Sequence, residues 1–281
     1  MPKPRALLLS PEAPYPVWGG GALRTASVLH YLAQRYELDV LLFREPQAGD
    51  PARALPEGLV ARAGVIELPY HARTHGARLS RNTVRLVRGV PPLWDRFAGF
   101  GEQVSRFVAG RSYETAVLEH FWCAPYEREV RGEARRVVMN LHNIESALHR
   151  RFGEAEGGMS RWANGRFATA YERLEREWLP RFDLLLAASE DDARRLRGMK
   201  AVVYPNAVPR QALPERGEQA SRPIVAFSGN MEYHPNVQAV RWFAREIWPR
   251  VRKARPDAEW VLIGKNEQAV QGLVAGLGGV R

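Results

Sequence analysis

Short apolar runs alternate along this chain with longer stretches in which apolar residues recur every three or four positions. Ala6 to Ser10, Leu38 to Phe43, Val65 to Leu68, Tyr113 to Glu119, Arg136 to Leu141, Asp183 to Ala188 and Ala201 to Tyr204 are such runs. Their near-continuous hydrophobicity predicts strands buried on both faces of a parallel sheet. Between them, Ala22 to Tyr36 carries Leu23, Ala26, Leu29, Tyr31 and Leu32 at helical spacing, and Trp94 to Ala109 reads as a helix. Met159 to Pro180 predicts a long helix whose stripe of Phe167, Ala170, Tyr171, Leu174 and Trp178 reads as core. Arg78 to Arg88 is a basic amphipathic segment, and Ser189, followed by Glu190, Asp191 and Asp192, predicts a capped helix start. Strand and helix alternating with right-handed crossovers predict a doubly wound α/β domain over residues 1–206.

The pattern changes after that point. Residues 207–222 are polar, with two prolines and a glycine, and predict a linker. A new apolar run from Ile224 then ends in Ser228-Gly229-Asn230. A helical stretch opened by Pro235 follows, and a further apolar run ends at Gly264. This strand–helix–strand unit places small and polar residues at strand carboxyl ends, where open α/β sheets bind ligands. Residues 223–281 supply about two strands and two helices, which predicts an incomplete second Rossmann-like domain.

Candidate chemistry gathers at these strand ends. Gly19, Gly20 and Gly21 join the first strand to the first helix, and two readings of that loop stand: free N–H groups holding an anion or sugar hydroxyls, or a plain tight turn. The spacing is not G-x-G-x-x-G, so no nicotinamide or flavin is indicated. His120 and His142 each follow a predicted strand, and parallel strands share a carboxyl edge, so both histidines are expected at one site.

The formal net charge of +10 is carried almost wholly by arginine, since lysine stands only at 3, 200, 253 and 265. Such a surface suits phosphates or anionic lipid, although an arginine-rich composition spreads charge over any surface. Without zinc-ligand spacing or an aromatic-basic pattern, nucleic acid is not expected as a partner. Cys123 is the single cysteine, so no intrachain disulfide forms, which suits a reducing cytosol. No apolar run approaches the roughly 20 residues that span a bilayer. A cytoplasmic protein is expected, with peripheral contact at the inner face of the membrane as a further option.

Several segments together carry a family likeness. They are Tyr15-Pro16 with Gly19-Gly20 and Arg24; His142-Asn143-Ile144-Glu145-Ser146; Ser189-Glu190-Asp191; and Tyr204-Pro205-Asn206. Phe227-Ser228-Gly229-Asn230-Met231-Glu232-Tyr233, Pro235-Asn236-Val237, Ile247-Trp248-Pro249 and Pro256-Asp257-Ala258 complete the set. On these residues the chain resembles the family-4 glycosyltransferases of the GT-B fold. The resemblance implies transfer of a sugar, with retention, from a nucleotide-sugar to a hydroxyl of a glycan or lipid-linked acceptor in polysaccharide biosynthesis, without cofactor or metal. It implies His120 beside the transferred sugar as the catalytic residue, and Gly19, Gly20, Arg24, His142, Asn143 and Glu145 on the acceptor side. Gly229, Asn230, Gly264 and Lys265 would meet the nucleotide diphosphate.

Two departures from the family pattern shape the expectation. Where many members place an arginine and a lysine after the second domain's first strand, this chain has Asn230 and Glu232-Tyr233-His234, which leaves Lys265 as the nearby cation. The family's paired glutamates, spaced E-x7-E, have two matches in spacing, Glu119/Glu127 and Glu259/Glu267. Neither lies at a loop-to-helix junction in the second domain, and both are set aside. The expectation is a transferase truncated in its donor domain and impaired alone; the alternatives are one half of a split enzyme or a non-catalytic glycan- or partner-binding protein.

Overall fold

The computed structural model describes residues 3–72, 74–155, 157–207 and 222–281, which form two compact units, one on each side of the gap after 207. Apart from its end residues, the linker expected over 207–222 lies outside the described residues.

The first unit is built on seven parallel strands: β1 (Arg5–Ser10), β2 (Glu37–Arg44), β3 (Arg62–Glu67), β4 (Thr115–Glu119), β5 (Val137–Asn140), β6 (Leu184–Ala187) and β7 (Ala201–Val203). Their spatial order is β3-β2-β1-β4-β5-β6-β7, and every neighbouring pair is parallel. Side chains alternate between the two faces. Leu7 and Leu9 join Leu118, Met139, Leu185 and Tyr171 on one side, while Ala6 and Leu8 join Val117, Val138, Val28, Leu29 and Leu32 on the other. The helix Gly20–Arg35 therefore covers the second face, and Gly158–Trp178 covers the first. The chain winds outward in one direction from β1 and in the other from β4. The order reverses between these adjacent strands, the point at whose carboxyl ends open α/β sheets form a crevice.

Two local readings are corrected. The single helix expected from Trp94 to Ala109 is two, Pro92–Arg96 and Gly101–Val108. Gly99 stands between them at φ 91°, a left-handed conformation that ends a helix. The glycine loop is also shorter than expected: Gly19, at φ 124°, is its last residue, and the helix begins at Gly20.

The second unit pairs β8 (Ile224–Ser228) with β9 (Glu259–Ile263) in parallel. The crossover runs through His234–Trp242, a widened turn at Phe243–Ile247, and Trp248–Ala254. Pro249 explains the widened turn. It has no N–H to give, and its ring clashes with the carbonyl four residues earlier. Trp248, Trp260, Met231 and Val240 fill this unit's core, and the indole of Trp248 donates to Gly278 O at 3.1 Å. Among the described residues, no helix is long and apolar enough to cross a membrane.

Candidate functional site

The crevice between β1 and β4 is floored by a buried carboxylate. Glu119, the last residue of β4, lies directly across from Asn140, the last residue of β5, and both are fully buried. The Glu119 oxygens accept from Asn140 Nδ2 at 3.0 Å, from Thr25 Oγ1 at 3.3 Å and from His142 Nε2 at 2.7 Å. Asn140 is held in turn by Arg24, whose Nε and NH2 donate to its Oδ1 at 3.0 and 2.6 Å. The remaining Arg24 nitrogen donates to Tyr204 O and to Asn206 Oδ1. One charge-balanced network thus ties the start of helix Gly20–Arg35 to the ends of β4, β5 and β7. Its physical rationale is that a charge without water must be paired and fully hydrogen-bonded.

The histidines rest on this floor. The rings of His120 and His142 stack with centroids 3.6 Å apart, and His120 stacks on Trp122 at 4.4 Å on its other side. The His142 ring is held through Nε2 against the Glu119 carboxylate, and a side-chain carbon placed on Gly21 would lie 3.8 Å from its Nδ1. His120 is buried, and neither of its ring nitrogens has a hydrogen-bond partner among the described residues; Glu12 Oε2 stands 3.8 Å from Nε2. Burial holds its pKa well below the usual histidine value, with His142 and Arg24 adding to the effect, so the ring is neutral. Its backbone is strained as well, at φ 60° and ψ 140°, a conformation that bulky residues adopt mainly at functional sites. Glu12, from the loop after β1, closes the same corner, and its carboxyl is raised by burial, with His142 opposing and Glu119 reinforcing.

A second polar layer lies below Trp122. Glu145 opens the helix Glu145–Ala155 and is 2% exposed. Its carboxyl is pushed up to about 8, first by burial and then by Glu175. Glu175 accepts from the Ser146 N–H at 2.9 Å and from its hydroxyl at 2.5 Å. Asn143, between this layer and His142, is exposed.

In the second unit, the loops after β8 and β9 are joined. A side-chain carbon on Gly264 would lie 1.7 Å from Gly229 O, and Gly264 sits at φ 152°, so only glycine fits. Asn230 Oδ1 accepts from Glu232 N at 3.2 Å and from Asn266 Nδ2 at 2.9 Å, while Lys265 O accepts from Met231 N at 3.0 Å.

The expected site residues therefore divide. His120 and His142 come together as expected of two strand ends, and Gly19 and Gly20 form a helix start without a side-chain cap or a first-turn acid. Arg24 and Glu145, expected on the acceptor side, are buried, at 1% and 2% exposure. Glu119, set aside as part of an E-x7-E match, is the hub of the network; its signal was an acid ending an otherwise apolar strand directly before a histidine. Asn140, Thr25 and Glu12 had no comparable signal. Among the described residues, no group of three or more His, Cys, Asp or Glu is placed to hold a metal ion.

No protein-family model matches the chain. No curated protein matches it either. Solved structures do match, among them sucrose-phosphate synthase from Thermosynechococcus elongatus, at TM-score 0.67 and 13% identity over 99% of this chain and 70% of that one. The UDP-forming α,α-trehalose-phosphate synthase of Burkholderia xenovorans, in complex with glucose-6-phosphate, matches at TM-score 0.56 and 15% identity over 96% and 68%. Medicago truncatula UGT71G1, complexed with UDP-glucose, matches at TM-score 0.52 and 12% identity over 97% and 69%. The chain has the α/β fold of these GT-B glycosyltransferases.

Proposed function

We propose that this chain is a metal-independent, retaining glycosyltransferase of the family-4 type, using a nucleotide-sugar donor and a hydroxyl of a glycan or lipid-linked acceptor. The observation that carries the reading is the neutral His120 ring at the topological switch point. It is stacked on a histidine that Glu119 orients, and its own nitrogens are unpartnered. Such a ring accepts a hydrogen bond from a sugar hydroxyl without adding charge, and its strained backbone is the kind held for a ligand. His142 and the exposed Asn143 meet the acceptor, while Glu119, Asn140, Arg24 and Glu145 act from below as positioning residues.

The uncapped helix start at Gly19-Gly20 offers N–H groups and a positive dipole end to developing negative charge. The second unit supports the reading through the Gly229–Gly264 contact, which leaves backbone bare of side chains where a diphosphate would approach. A thermal-shift titration with UDP-, GDP- and ADP-sugars tests the proposal. The expected result is a rise in Tm with one donor class, by mass action on the folded state, and nucleoside diphosphate release when an acceptor is added. No shift with any donor overturns it.

The chain spans about 70% of the sucrose-phosphate synthase it resembles, and its turnover alone belongs to the same proposal. A second reading, a glycan- or partner-binding protein without turnover, has one observation behind it. Ile224 and Ile263, on the second unit's strands, are 45% and 52% exposed, and apolar strand residues of that kind invite a covering partner. Donor binding without product in the same assay would favour it.

A further inference from the structure

A second feature of the first unit lies on a different surface. The helices His75–Arg88 and Gly158–Trp178 meet where Arg166 Nε donates to Leu86 O at 2.8 Å and its NH2 group donates to Val87 O at 3.3 Å. Beside this contact is a concavity of about 890 Å³, lined by Arg88, Arg161, Trp162, Arg166, Thr169 and Arg173 together with glycines, and by no carboxylate. Arg88, Arg161 and Arg173 form no ion pair among the described residues. Farther along the same helix and in the turn after it, by contrast, Arg176 pairs with Glu172 and Arg181 with Glu177. The cations of this concavity are thus left uncompensated while neighbouring ones are neutralised.

The rim is apolar. Met159 is 82% exposed, Val87 73%, Trp162 59% and Val84 51%. Leu79, Thr83, Val87 and Val84 fall within an arc of about 140° at 100° per residue, with Arg88 about 40° beyond it. A monomer in water gains nothing from exposing such side chains together. A nucleic acid would satisfy the arginines and leave the methionine and valines wet. An anionic bilayer satisfies both, since arginine meets headgroup phosphate while tryptophan and aliphatic side chains enter the headgroup layer.

We propose that this face is a docking surface for an anionic bilayer, with headgroup phosphates drawn to Arg88, Arg161 and Arg173 and with Met159, Trp162, Val84 and Val87 inserted beside them. It goes beyond the transferase reading and does not depend on it. Glu175, the site-side residue of the same helix, stands 13 positions after Trp162 by number, about 20 Å at 1.5 Å per residue, so docking leaves the crevice clear.

The test is flotation of the full chain with vesicles of phosphatidylglycerol and phosphatidylcholine in equal parts, against vesicles of phosphatidylcholine alone. Binding to the anionic vesicles only is expected. The double variant Arg88→Glu, Arg161→Glu should weaken it by at least about twentyfold, taking roughly fivefold for each surface arginine lost. Met159→Ser with Trp162→Ser should weaken it without altering its salt dependence. Arg197→Glu, an exposed arginine elsewhere in the first unit, should leave it within about twofold. Far-UV circular dichroism checks that every variant is folded. Equal binding to neutral vesicles overturns the proposal, as does equal loss in the Arg197 variant, which would assign binding to net charge. Retention of binding in folded Arg88/Arg161 variants, or capture of RNA with no capture of vesicles, overturns it as well.

Discussion

Replacing Glu145 with Gln should make the first unit more stable at neutral pH, although Glu145 is almost wholly buried and looks essential in sequence. The carboxyl opens a helix against Glu175, and burial followed by that neighbour raises it from 4.5 to about 8. Its folded-state value lies above its unfolded value, so the folded chain holds a proton that the unfolded chain has released between pH 4.5 and about 8. Stability from this group is fully present below pH 4.5 and is lost as pH rises through that window. At pH 7 the loss covers about 2.5 units at 1.36 kcal/mol each, or about 3 kcal/mol. Gln keeps the shape and cannot ionise. The difference in unfolding free energy between Glu145→Gln and the parent should therefore move by about 3 kcal/mol, toward the variant, from pH 4.5 to pH 7. Urea titrations at half-unit pH intervals, followed by circular dichroism, measure it, with the second unit's transition as an internal reference. Parallel stability curves for the two proteins between pH 5 and 8 would refute the reasoning, because they would mean that the buried carboxyl keeps no proton.

Three other outcomes follow from the same contacts. Glu119→Gln replaces one acceptor oxygen with an N–H₂ group that faces the donors Asn140 and His142, and should cost about 2–3 kcal/mol in urea unfolding and release the His142 ring in NMR. Arg24→Lys cannot reproduce the forked contact with Asn140 plus the bonds to Tyr204 O and Asn206, and should cost about 2–4 kcal/mol by the same assay. Gly264→Ala places a carbon against Gly229 O at an unfavourable φ; the second unit should lose at least about 3 kcal/mol, seen as early loss of the near-UV signal of Trp248 and Trp260, while the first unit is unchanged.

The legible part of the site was whatever follows from strand geometry. Two histidines after two parallel strands must share an edge, and His120 and His142 do. What the pattern could not supply was depth. Glu145 reads as an accessible acid after a histidine, yet the helix it opens packs it against Glu175. Arg24 reads as an acceptor-side arginine just past a glycine loop, yet it turns inward to Asn140. Both outcomes depend on which helix face meets the sheet, and therefore on contacts between residues more than a hundred positions apart, such as Arg24 and Asn140. Glu119 shows the converse error. Weighed as one member of a spaced pair, it looked dispensable, but its register across from Asn140 makes it the point on which three side chains converge. The helix break at Gly99 was local and still escaped the periodicity, because the apolar spacing continues through it.

Sequence alone determined the strand–helix alternation, the parallel sheet, the second strand–helix–strand unit and the small residues at its strand ends. Each of these is a short-range consequence of side-chain period and backbone freedom. Only the tertiary structure decided the strand order and its reversal between β1 and β4. The same level decided the burial of Glu119, Arg24 and Glu145, the neutrality of His120, and the gathering of unpaired arginines beside Trp162. Those properties depend on which surfaces exclude water together, and desolvation acts on neighbours in space, whatever their distance along the chain.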